Sequence, residues 1–145
     1  RRDDPALPDA YDNQAYGAVD TGFEIQIDEL ARGNPTKTPP EPDGLDKKRT
    51  GALYDIPTTP DGIHQAYARG PALTPGQWND CEIAVKQSAG GDVYTVSVNG
   101  QVTTTYTNTD AFRGRSNAVD PASGFIGLQA NIGLIAFRNI RIQAG

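Results

Sequence analysis

Two β-branched runs meet at Asn99-Gly100 in "DVYTVSVNGQVTTTYT" (residues 92–107), and this stretch constrains the chain more than any other. A two-residue turn between right-twisted strands needs positive φ at both central positions, which Asn and Gly enter at little cost. A β-hairpin is therefore predicted. Strict alternation recurs in "GFEIQIDE" (22–29), where Phe23, Ile25 and Ile27 share one face and Glu24, Gln26 and Asp28 the other. It recurs again in "WNDCEIAVKQ" (78–87), with Cys81, Ile83 and Val85 on one side. "GALYDI" (51–56) reads as a strand stopped by Pro57, while "GFIGLQA" (124–130) and "GLIAFRNIRIQ" (133–143) read as a second hairpin through Asn131 to Gly133.

The segments between are polar and rich in Pro and Gly. Residues 1–21 read as a lead-in, and residues 29–50, 57–77 and 108–123 as loops. Long connections of this kind in a compact domain are usually functional or mobile. No stretch carries a convincing helical period. The expectation is one all-β domain over residues 22–145, a sandwich of two antiparallel sheets with their apolar faces together.

Several functions are disfavoured at once. A net charge of −5 over 145 residues opposes binding to nucleic acid or anionic membranes. No apolar run approaches the roughly 20 residues that span a bilayer. Cys81 is the single cysteine, so an internal disulfide and a cysteine-based zinc site lack their parts, and a nucleophile–histidine pair would have to recruit the single histidine, His64, from a Gly/Pro-rich loop, which disfavours it. The row Glu24, Gln26, Asp28, spaced about 6.5–7 Å apart at strand rise, is either a solvated outer face or the floor of a polar ligand site.

"GFEIQIDE", "RTGALYDI", "GQWNDCEIAV", "YTVSVNG" and "SGFIGLQANIGLIAFRNIRI" occur in the order and spacing of the 3-keto-disaccharide hydrolase domain, formerly a domain of unknown function. The chain resembles that family from about Gly22 to Ile142. The resemblance implies a concanavalin-like jelly-roll sandwich, a sugar or glycoside ligand and, since members are commonly exported, an extracellular or periplasmic location. Two departures stand out. Family members usually carry further strands upstream of the first block, so an upstream segment or a partner chain is expected to complete the sandwich. Many relatives also have a histidine where this chain has Asn131.

The implied substrate is a glycoside oxidised to a ketone at C3. Such a ketone acidifies the C2 proton, so a base removes it, the group at C1 leaves, and water then adds. That route needs a base, donors for the enolate oxygen and an acid for the leaving oxygen. It does not need the paired carboxylates of ordinary glycosidases. Glu24 or Asp28 is the expected base, with Gln26 on a hydroxyl. Arg138 is expected to meet the carboxylate row and orient it or hold the enolate. Arg49, Gln129 and Asn131 are expected to contact the sugar, and Tyr54 to protonate the leaving oxygen or stack on the ring. Each has a plain alternative: an ion pair for Arg138, a core-edge ring for Tyr54, a turn amide for Gln129. Lys47 and Lys48 read as solvated loop charges, Trp78 as a core or sheet-end plug, and His64 as a loop residue near the site mouth. A divalent cation held by the carboxylates with Asp55 or Asp20 is a side possibility. A carbohydrate-binding module without catalysis and an assembly domain completed by a partner strand are the competing functions.

Overall fold

Residues 22–59, 64–109, 124–130 and 133–144 are described by the structure, a computed structural model. Asn99 and Gly100 take φ of 48° and 78°, and the predicted hairpin forms around them. Its arms are β3 (Val93–Val98) and β4 (Gln101–Thr107), joined antiparallel. β2 (Cys81–Lys86) pairs antiparallel with β3, and β1 (Gln65–Tyr67) antiparallel with β4. The order across the sheet is β1-β4-β3-β2. β1 lies inside residues 57–77, which the sequence reads as loop. Three residues between Pro/Gly-bearing flanks are too few to show a period.

Residues 24–28 and 50–54 form a second, shorter antiparallel pairing, with Ile25 bridged to Leu53. Its hydrogen bonds run from Tyr54 N–H to the Glu24 carbonyl (2.8 Å) and from Gln26 N–H to the Ala52 carbonyl (2.9 Å). Gly51 N–H also reaches the Gln26 carbonyl at 2.9 Å, so Gly51 and Ala52 together oppose Gln26. This is a β-bulge whose first residue must be left-handed, and Gly51 has φ of 82°.

The core lies between this pair and the four-stranded sheet. Leu53, Ile56, Val96 and Tyr106 are buried there, with Phe23, Ile25 and Tyr94 packed against them. The Phe23 ring stands 4.9 Å from Tyr94 and 5.7 Å edge-on from Tyr106, centroid to centroid, distances at which aromatic pairs add to the area they bury. Phe23 and Ile25 thus take the inner face that alternation gave them, whereas Ile27 stays 52% exposed.

Polar contacts clamp the layers. Val96 pairs with Thr104 but Ser97 with Val102, which leaves Thr103 as an extra residue and turns both threonines inward. The Thr103 and Thr104 hydroxyls donate to the Gly51 carbonyl at 3.0 and 2.7 Å. On β1, buried Gln65 accepts from Leu53 N–H at 2.9 Å and donates to the Leu53 carbonyl at 2.8 Å, with a further bond to the Ile56 carbonyl. An amide side chain here does the work of a neighbouring strand.

The expected second hairpin is corrected. Residues 124–130 and 133–144 carry no strand pairing among the described residues, and their side chains are exposed, Phe125 by 74% and Leu134 completely. Alternation assigns faces to a segment, but a strand exists only where a neighbour closes its hydrogen-bond ladder. Asn131 and Ile132, at the expected turn, and the lead-in 1–21 lie outside the described residues. The fold is all-β, and its one helical piece among the described residues is a 3₁₀ turn at Asp46–Lys48. No helix among them is long and apolar enough to cross a membrane.

Candidate functional site

The three polar residues of the first strand segment fare differently. Asp28 is occupied: one carboxylate oxygen accepts from Leu30 N–H at 2.9 Å and the other from Arg32 N–H at 3.0 Å. That is a turn-capping role, because Asp side chains readily satisfy the amides that follow them. Gln26 turns back on its own backbone, its Oε1 3.2 Å from Ile27 N–H. The Glu24 side chain is half-buried, and its carboxylate has no hydrogen bond or ion pair among the described residues. Burial pushes its carboxyl above the usual glutamate value, because the charged form has lost water without gaining a partner.

Tyr54 sits across the ladder from Glu24. Ile25 and Leu53 point into the core, so the adjacent pair Glu24 and Tyr54 faces away from it. Directly opposed side chains in such a pair stand about 4.5–5.5 Å apart at Cβ. The Lys48 ammonium lies over the Tyr54 ring at 5.5 Å from its centroid.

Lys48 corrects an expectation. It is 4% exposed, not a solvated loop charge, and is ion-paired with Glu41. The 3₁₀ turn rolls it inward under residue 41. Burial alone would lower the Lys48 pKa, but the hydrogen bond to Glu41 and the charges of Tyr54 and Glu41 outweigh it and leave the ammonium above its ordinary value. Reciprocally, the Lys48 hydrogen bond holds the Glu41 carboxyl down. Lys47 pairs with Asp55 and stands 3.8 Å from Glu41. It too is tied into the network.

At the other end of the pairing, a hollow of ≈ 210 Å³ is lined by Glu29, Arg49, Thr50, Tyr67, Arg69 and the turn from Gly70 to Ala72, with Val98 behind. That is small for a ligand cleft. Arg49 donates to the Glu29 carbonyl at 2.8 Å and stands 3.4 Å from the Asp46 carboxylate, which Arg69 approaches at 3.7 Å. Tyr67 donates its hydroxyl to the Thr50 carbonyl at 3.1 Å. Burial, then the charge of Asp46, raises its pKa and keeps the phenol neutral. The Thr50 hydroxyl is buried without a partner among the described residues. At strand rise the five steps from Glu24 to Glu29 span about 16 Å, so the hollow and the Glu24–Tyr54 pair are separate places.

The remaining expected site residues do not join either place. Arg138 stacks on the Trp78 ring at 4.0 Å from its centroid, and it forms no ion pair with Glu24 or Asp28 among the described residues. The indole, half exposed at the entry to β2, is a better partner for a flat guanidinium than a carboxylate already capped by amides. Gln129 is exposed on a segment with no strand ladder among the described residues, and Asn131 lies outside them. His64 is half-buried, with its N–H 3.3 Å from the Thr59 hydroxyl. Among the described residues no group of three or more His, Cys, Asp or Glu could hold a metal ion. Asp55 faces Lys47, and Asp20 is outside the described residues. Sequence reasoning missed Lys48, Glu41, Tyr67 and Arg69. No sequence signal marked them: β1 is too short to show a period, and nothing marked Lys48 as buried.

Comparison with known proteins gives one match. The family model described as the 3-keto-alpha-glucoside-1,2-lyase-like domain covers residues 9–143. No curated protein and no solved structure matches the chain.

Proposed function

Because the chain belongs to the 3-keto-alpha-glucoside-1,2-lyase-like domain family, we propose that it cleaves 3-keto-glycosides by elimination followed by hydration, with Glu24 as the base. The observation that carries this is the free state of Glu24: a half-buried carboxylate with no partner among the described residues and a raised pKa. A base works best with its pKa drawn toward the operating pH. Asp28, by contrast, has each carboxylate oxygen already holding a backbone amide.

The steps follow from the substrate. Glu24 takes the C2 proton, and the C2–H electron pair passes into the enolate of the C3 ketone. The enolate then collapses to a C1–C2 double bond as the C1–O bond breaks. Tyr54, on the same face, gives its proton to the departing oxygen. The buried Lys48 ammonium, ion-paired with Glu41, lies over the ring of this acid. Water adds at C1 and a proton returns to C2, completing a net hydrolysis. Arg138 has no part in this scheme. The reading also takes the fold to be the family's jelly-roll sandwich, with the 24–28/50–54 pair as part of the second sheet, and an exported protein.

The test is direct. Incubated with a 3-keto-disaccharide, the protein should release sugar, and Glu24→Gln should lose about 10²–10⁴-fold in turnover. Unchanged turnover in Glu24→Gln refutes the assignment.

A second reading, carbohydrate binding without turnover, is favoured by the Arg49–Tyr67–Arg69 hollow. It offers donors and a ring, but the Glu29 carboxylate there is engaged with Leu73 N–H at 3.3 Å. Calorimetry separates the two: saccharide binding abolished by Tyr67→Ala, with no product formed, supports the binding module.

A further inference from the structure

β2 is the outer strand of the sheet. One side pairs with β3, and its outer backbone edge makes no hydrogen bond among the described residues. Ile83 and Val85 stand opposite Val96 and Tyr94, so they continue the core face of the sheet, yet they are 50% and 53% exposed. No proline or bulge interrupts Cys81–Lys86. Proteins normally guard such an edge with charges, bulges or short length, since a bare edge recruits another strand.

The charges on this edge are arranged differently from a guard. Glu82, Ala84 and Lys86 share one face, and Ile83 and Val85 the other. Suppose β2 pairs antiparallel with β2 of a second copy about a two-fold axis at Ala84. Glu82 of each copy then faces Lys86 of the other, Ile83 faces Val85, and Ala84 faces Ala84. Sliding either way along the strand leaves Glu82 facing Ala84 or Ser88. The register centred on Ala84 is the one that matches both charges and both apolar side chains. A C₂ interface demands this self-complementarity.

We infer that β2 is the dimer edge: two copies of this chain join their four-stranded sheets into one eight-stranded antiparallel sheet through Cys81–Lys86, in the register that sets Glu82 against Lys86. The pairing satisfies the outer backbone groups and covers Ile83 and Val85 with their counterparts. The contact is small, so the dimer is concentration-dependent.

Sedimentation and native mass spectrometry test it. Wild type should move toward twice the monomer mass as concentration rises. Glu82→Lys alone, or Lys86→Glu alone, sets like charges opposite one another at both symmetric positions and should weaken self-association at least about tenfold. Mixing the two single variants should restore a dimer, now a heterodimer, because each supplies the sign the other needs. Oxidised Ala84→Cys in a Cys81→Ser background should form an intermolecular disulfide, since opposed Cα atoms in such a pair fall within bridging range. Wild type that stays monomeric overturns the inference. So does a dimer indifferent to either charge reversal, or a monomer whose β2 amides are protected from exchange, which means another segment of the same chain covers the edge.

Discussion

The 24–28/50–54 pairing has two faces that treat polar groups in opposite ways. On the inner face the Gly51 carbonyl takes two threonine hydroxyls, and Gln65 closes on Leu53 and Ile56. On the outer face Glu24 is half-buried and matched by nothing among the described residues. A matched buried polar group holds a structure in one arrangement, whereas an unmatched one costs stability and is available for chemistry. The contrast separates residues that build the site from the residue that acts in it.

Substitutions should follow that division. The largest effect expected is on turnover in Glu24→Gln, and it should come without loss of stability. The folded carboxyl has a raised pKa, so the proton favours the folded state. Below the ordinary glutamate value the charge costs nothing, and stability is lost as pH rises through the folded value. Thermal melts should therefore show Glu24→Gln equal to wild type in acid and more stable at neutral pH. Wild-type turnover should show an acidic limb displaced upward from the ordinary glutamate value. A variant that loses activity and stability together would place Glu24 with the inner face instead.

Gly51→Ala comes next. An added Cβ would lie 2.4 Å from the Thr103 hydroxyl, and φ of 82° is strained for any side chain. A cost of about 3–4 kcal/mol is expected in denaturant unfolding. Gln65→Leu strips Leu53 of both partners while keeping bulk, for about 2–3 kcal/mol. The smallest effect should be Asp28→Ala, which removes a turn cap worth about 1 kcal/mol and leaves turnover nearly intact. If Asp28→Ala instead abolished turnover with little change in stability, the base would have been assigned to the wrong carboxylate.

Local signals were reliable where the physics is local. Positive φ at Asn99-Gly100 and the alternation of Phe23 and Ile25 depend on one residue and its neighbours, and both appear as expected. Cys81–Lys86 likewise falls inside its predicted strand. Signals failed where a partner across space decides. Lys48 reads as a loop charge until Glu41 folds over it, and Arg138 reads as a carboxylate's partner until Trp78 takes it. The alternating segments 124–130 and 133–143 have the pattern of strands without a ladder among the described residues.

The β character, the hairpin turn, the inward face of Phe23 and Ile25 and the family are legible in the amino-acid order alone. Those follow from backbone torsions and a period of two, which need no knowledge of what lies opposite. Only the tertiary structure decided which carboxylate is capped and which is left open, that a glutamine would stand in for a strand, and which strand edge is bare. These depend on distances between residues far apart in the chain, and hydrogen bonds, ion pairs and burial are settled there.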